Sequence, residues 1–197
     1  MWRPAIVMTA LVLLAACGAE PGSAARPSDN PTSAPTRSAT SGQDTPPPQP
    51  QMDRCHTSGL SLSVVTRAEG GAGNFNQVLG LTNKSGSACW VYGYVGMALL
   101  DAGGKQLPTR VVRDTGARFP FAHVGQYTLK PDATAPFWMH WGQVPVGSET
   151  SCPMASGLIL TPPDETTQLR LTGIQIMACN GGQIDVSPVM PPGTSGP

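Results

Sequence analysis

The chain has 197 residues, with 12 basic and 12 acidic side chains and a formal net charge of zero. Only 12% of residues are charged. A nucleic-acid partner needs a basic face, and this composition supplies none, so that class is excluded.

Near the start, Arg3 is a thin positive region ahead of an apolar run, Ala5 to Ala16, broken only by Thr9. The run is too short for roughly 30 Å of hydrocarbon and fits the apolar core of a signal peptide. It ends in Leu14-Ala15-Ala16-Cys17-Gly18, with the small residues that a signal peptidase needs. A cysteine here resembles the bacterial lipobox, in which the thiol receives diacylglycerol and becomes the new N-terminus. Residues 1–16 are therefore expected to be a lipoprotein signal peptide and Cys17 the lipidation site. Two acyl chains would anchor stably where one would not. Loss of residues 1–16 removes Arg3 and no acid, leaving 11 basic and 12 acidic groups, near −1.

From Gly18 to Gln51 the chain is Pro, Ser, Thr, Ala and Gly with a few polar and charged residues, and no aromatic or large aliphatic one. Such a segment cannot bury enough surface to offset its ordering entropy. Residues 17–51 are thus expected to be the lipidated cysteine plus a disordered linker, averaging roughly 30–35 Å end to end. The remaining segment, residues 52–190, has the size of one domain. Residues 191–197 read as a flexible tail.

Within the domain, Leu60-Ser61-Leu62-Ser63-Val64 alternates with period two, as a half-buried strand does. Phe75 to Thr82 is a second strand, closed by Asn83-Lys84-Ser85-Gly86. Cys89 to Tyr94 and Val95 to Leu100 follow, and Asp101-Ala102-Gly103-Gly104 is a hairpin turn. Lys105 to Val112 reads as the return strand, with Pro108 marking an edge. Arg110, Arg113 and Arg118, with Asp114 among them, read as a solvated loop. Gln126 to Leu129 and Ala133 to Trp141 flank the turn Lys130-Pro131-Asp132. Leu158 to Thr161, Gln168 to Leu171 and Gln183 to Val189 complete the set. Short strands with Gly/Pro turns and no helical periodicity predict an antiparallel β-sandwich.

Besides Cys17 there are four cysteines, Cys55, Cys89, Cys152 and Cys179. An even count in an exported domain predicts two disulfides. Three pairings exist; Cys55–Cys89 with Cys152–Cys179, joining neighbours in sequence, is preferred. A zinc site is disfavoured, because no C-x-x-C or close histidine partner is present.

In order along the domain, these features resemble the actinobacterial secreted lipoprotein domains of unknown function. The resemblance rests on Cys55 with Leu60 to Val64, Leu81 to Gly86 leading to Cys89, Tyr94-Val95-Gly96, and Leu99-Leu100-Asp101 with Gly104 and Leu107. It continues through Leu129-Lys130-Pro131-Asp132, Cys152-Pro153, Leu158 to Pro163, Cys179 with Gly181-Gly182, and Val186 to Val189. The resemblance implies an antiparallel immunoglobulin-like β-sandwich with the disulfide pairing above, and it carries no catalytic residue. Phe137-Trp138-Met139-His140-Trp141 departs from it, since such domains more often have small aliphatics there.

Enzyme signatures are absent: no G-x-S-x-G, H-E-x-x-H, P-loop or G-x-G-x-x-G occurs. On a strand, Phe137, Met139 and Trp141 would face the core, and Trp138 and His140 a half-exposed face. Trp138 and His140 are candidate binding residues, as are Phe119 and Phe121 of the long loop Phe119-Pro120-Phe121-Ala122-His123. Copper held by Met139 and His140 with His123 or Met97 is disfavoured, because neighbours on a strand point apart. The functional expectation is a lipid-anchored, noncatalytic binding module on the extracellular face of the cell membrane, without cofactor or metal. Its partner would be an envelope protein, peptide or glycan. The alternative is an envelope metal-binding protein or enzyme with a site near His123 and His140.

Overall fold

A computed structural model describes residues 51–194. The expected signal peptide, the lipidation candidate Cys17, nearly all of the expected linker and the last three residues of the expected tail lie outside the described residues.

Eleven strands and one short 3-10 turn make up the regular structure of the described residues. They are β1 (Leu60–Val64), β2 (Glu69–Gly71), β3 (Asn74–Asn83), β4 (Cys89–Tyr92), β5 (Gly96–Leu100) and β6 (Arg110–Arg113). The rest are β7 (Gln126–Leu129), β8 (Thr134–Gly142), β9 (Met154–Thr161), β10 (Leu169–Met177) and β11 (Gln183–Val186). The large sheet has the order β1-β3-β8-β11-β6, with β2 paired to β3. A second sheet runs β10-β9-β5, and β4 pairs with β7. All pairs are antiparallel except β6 with β11. The fold is all-β and antiparallel-dominated, as the strand pattern predicts.

One apolar core joins the sheets. Leu79 and Leu81 of β3, Phe137, Met139 and Trp141 of β8, and Ile184 and Val186 of β11 pack with Leu99, Leu129, Leu158, Leu160 and Ile176 from the other sheets. Alternation explains this: odd positions of β8 and even positions of β11 turn inward, and their neighbours turn outward.

The disulfides are Cys55–Cys89 and Cys152–Cys179. The first ties the chain entering the domain to β4. The second ties the segment before β9 to the turn before β11.

The hairpin after β5 departs from expectation. Its turn forms, with Gly104 N–H donating to Asp101 O at 3.0 Å and Leu107 N–H donating to Leu99 O at 2.9 Å. The chain then leaves β5, and β6 joins the large sheet beside β11. That placement requires a glycine at 182: Gly182 (φ +76°) lies so close to the chain before β6 that a Cβ there would fall 1.9 Å from Pro108 O. Pro108 does precede an edge strand, but the edge of the other sheet. Arg110 and Arg113 correspondingly stand on a strand rather than a loop; Arg113 lies over the Tyr94 ring at 5.8 Å.

The turn Lys130 to Ala133 is closed by Ala133 N–H donating to Lys130 O at 3.0 Å, with Asp132 at φ +63°. Pro at the second position and positive φ at the third define a type II turn. The turn at Pro162 to Glu165 repeats the arrangement with Asp164 at φ +57°.

Candidate functional site on the outer face of the large sheet

β8 is buried on both sides, which a two-layer sandwich does not require of a central strand. Its outward residues, Trp138 and His140, are 5% and 4% exposed. The half-exposed face expected of them is therefore not found. The cover is the loop between β6 and β7. Phe119, Ala122 and Phe121 pack on Trp138 and Val78, with Met190 joining from the C-terminal segment. Phe121 meets Trp138 edge-on with ring centroids 5.2 Å apart, and Phe119 meets Phe121 at 6.2 Å. Phe119 and Phe121 of the loop and Trp138 of β8, all three candidates from the sequence, thus form one cluster.

Asp114 shapes the loop. Its carboxylate accepts backbone N–H groups of Gly116, Arg118 and Phe119 at 3.2, 3.0 and 2.7 Å. Burial pushes its pKa up, but the N–H groups of Arg118, Phe119, Gly116 and Ala117 outweigh burial and hold it below the usual value. Tyr94 fixes the same corner by donating to Asp114 O at 2.8 Å. The signal was present in the sequence as Asp114-Thr115-Gly116, an Asx-turn pattern.

Beside the aromatic cluster lies a buried polar one. His140 Nδ1 is 3.0 Å from Asp185 Oδ2, and His140 Nε2 is 3.1 Å from Asn74 Oδ1. Strand register creates it, since His140 pairs with Asp185 on one side and Asn76 on the other. Asp185 Oδ1 accepts from Gln183 Nε2 at 2.6 Å, and Arg118 Nε approaches Oδ2 at 3.6 Å. Gln183 Oε1 in turn accepts from Arg110 and from Asn180 Nδ2.

A carboxylate orienting an imidazole is half of a nucleophile-activating set. The other half is missing here: Asn74 occupies the second ring nitrogen. Ser187 Oγ accepts from Trp138 N–H at 2.9 Å and donates to Pro188 O at 2.8 Å, which engages it with backbone. His123 is exposed on the loop and lines neither cavity beside this cluster, so the two histidines named together from sequence are not brought into one site. Glu149 lies beside Cys152 and Cys179, but both sulfurs are in the disulfide and offer no thiolate.

Two cavities open where the loop leaves the sheet. One, about 230 Å³, is lined by Asn74, Arg118, His140, Trp141, Asn180 and Asp185, among others. The second, about 420 Å³, has Val78, Phe119, Phe121 and Trp138 with Arg67, Glu69 and Arg118. Arg118 borders both. A larger cavity of about 500 Å³ lies at the domain entry, among residues 51–59 and 83–89. Asn83 Nδ2 donates to Ser87 O and Leu129 O, and Arg54 and His56 are paired to Glu165.

Fold and site together define a disulfide-stapled all-β domain with a loop-covered sheet face. The chain belongs to the family described as a domain of unknown function, DUF4232, which matches residues 55–190. No curated protein and no solved structure matches the chain.

Proposed function

We propose that this is a lipid-anchored, noncatalytic module of the cell envelope that binds its ligand on the outer face of the large sheet. Cys17 holds it to the outer face of the cell membrane, the linker sets it off from that surface, and the domain presents the covered face. The reading is supported most by Arg118, a half-exposed cation (side chain 47% exposed) between a polar cavity and an aromatic one. Concave sites with an apolar floor and a few convergent polar groups are the usual form of ligand pockets. The lipobox resemblance at Cys17 supports the anchor, and the two disulfides agree with an oxidising compartment.

The test is a defined panel of envelope-type peptides and glycans titrated into the full chain. Retention of a panel member, lost on Phe121→Ala or Arg118→Gln, supports the reading. Binding of no member, or binding indifferent to both substitutions, rejects it. Metal analysis of the full chain addresses a site at His140: stoichiometric metal lost in His140→Ala would replace the noncatalytic reading.

A further inference from the structure

The hydrogen-bond inventory of the 230 Å³ cavity is lopsided. Its strong acceptors are engaged. Asp185 takes His140 and Gln183, Gln183 Oε1 takes Asn180 and Arg110, and Asn74 Oδ1 faces His140. The charged group left free at its mouth is a donor. Among the described residues the Arg118 guanidinium makes no side-chain hydrogen bond; its one charge partner is Asp185, reached through Nε at 3.6 Å. Its two terminal nitrogens are left over. Trp141 also borders this cavity at the end of β8, with its ring packed in the core on the inner side of the sheet.

What fits such a wall is an anion with planar, paired oxygens. The Arg118 fork matches a carboxylate through two parallel N–H bonds. Asp185 decides between anions: a doubly charged phosphate beside this carboxylate meets more repulsion than a singly charged group. Size decides how much of the ligand enters. About 230 Å³ is below the usual range for a whole ligand and suits a terminal group. The body must then run past Arg118 into the neighbouring 420 Å³ cavity, over Phe119, Phe121 and Trp138.

Building on the binding-module reading, we infer that this pair of cavities recognises a small carboxylate with an apolar body. The carboxylate lies on Arg118, and the body lies against the aromatic cluster. Asp185 acts as a positioning residue, holding the guanidinium from behind.

The test uses the isotopically labelled full chain in detergent micelles, followed through its assigned indole N–H resonances. The probes are N-acetylphenylalanine, its primary amide, and inorganic phosphate. The expected result is saturable movement of the Trp138 resonance with the carboxylate, and at least tenfold weaker response to the amide. Arg118→Gln should weaken carboxylate binding at least tenfold, and Arg118→Lys, which keeps the charge without the fork, by less. Thermal melts of both variants confirm that each folds. An amide response equal to that of the acid, an Arg118→Gln response equal to wild type, or an unmoved Trp138 resonance overturns the inference. Phosphate acting at lower concentration than the carboxylate also overturns it. A neutral panel member that moves Trp138 without depending on Arg118 overturns the carboxylate while leaving the binding module in place. Failure of the whole panel at this face rejects both.

Discussion

Phe121 stands edge-on to Trp138, with ring centroids 5.2 Å apart and planes at 76°. One ring belongs to a loop and the other to the central strand of the large sheet, so this contact fastens the cover to the face beneath it. Edge-to-face pairs add about 0.5–1.5 kcal/mol beyond the area they bury. Trp138→Ala should cost about 3–5 kcal/mol, and Phe121→Ala, at a partly buried position, about 1–3 kcal/mol. In a double-mutant cycle by chemical denaturation the two should couple by about 0.5–1.5 kcal/mol. Additive losses would mean that the loop is held by something else.

Asp114 should control the loop more than it controls the core. Asp114→Ala leaves the N–H groups of Gly116, Arg118 and Phe119 without their acceptor, at a cost of about 1–3 kcal/mol. Hydrogen exchange should accelerate chiefly in residues 114–125. Uniform acceleration across β3 and β8 would contradict a local role.

Glu165 gives the domain an acid limit. Its carboxylate accepts Thr57 N–H at 3.0 Å and Thr57 Oγ–H at 2.8 Å, beside His56 and Arg54. The Thr57 backbone bond leads in lowering its pKa from 4.5 to about 2, against the opposing effect of burial. A folded-state pKa below the unfolded one stabilises the fold above the unfolded value and ceases to do so as pH falls through the folded one. Melting temperature should therefore drop as pH falls from 4.5 toward 2. Glu165→Gln should lower it at neutral pH and flatten that drop. An unchanged acid slope in the variant would assign the limit to other groups.

Each disulfide constrains a loop of similar length, with sequence separations of 34 and 27. Loop-closure entropy gives about 3–4 kcal/mol for either. The paired substitution Cys152→Ala with Cys179→Ala should cost that much and also loosen the 230 Å³ cavity, because Cys179 lines it. The pair Cys55→Ala with Cys89→Ala should cost a similar amount and leave ligand response at Trp138 intact. Equal effects of the two on binding would contradict the placement of the site.

Much of the fold was legible where one face of a strand is polar. β1 alternates in sequence and its bounds follow from that, although its burial fades from Leu60 to an exposed Val64. β2 was not read, since Glu69-Gly70-Gly71 carries neither alternation nor β-forming side chains and exists by pairing with β3. The split between core and outward residues on β8 was readable from period two. The burial of Trp138 and His140 was not, because it depends on a loop folding back over the sheet. The His140–Asp185 pair spans 45 residues, so no local pattern announces it. Asp185 was read only as part of the strand Gln183 to Val189, with no face or role, and Arg118 read as a solvated charge rather than a bridge between cavities.

Under the proposed anchoring, Cys17→Ser should abolish acyl-chain labelling and release the chain from the membrane fraction. Membrane retention at wild-type level would put the anchor elsewhere.

The outer face as the binding surface is tested most directly by hydrogen exchange of the full chain with and without each member of the peptide and glycan panel. The account predicts that a binding member slows exchange in residues 114–125 and at Trp138 to His140, with residues 51–59 unchanged. Protection confined to residues 51–59 and 83–89, around the 500 Å³ entry cavity, would contradict it.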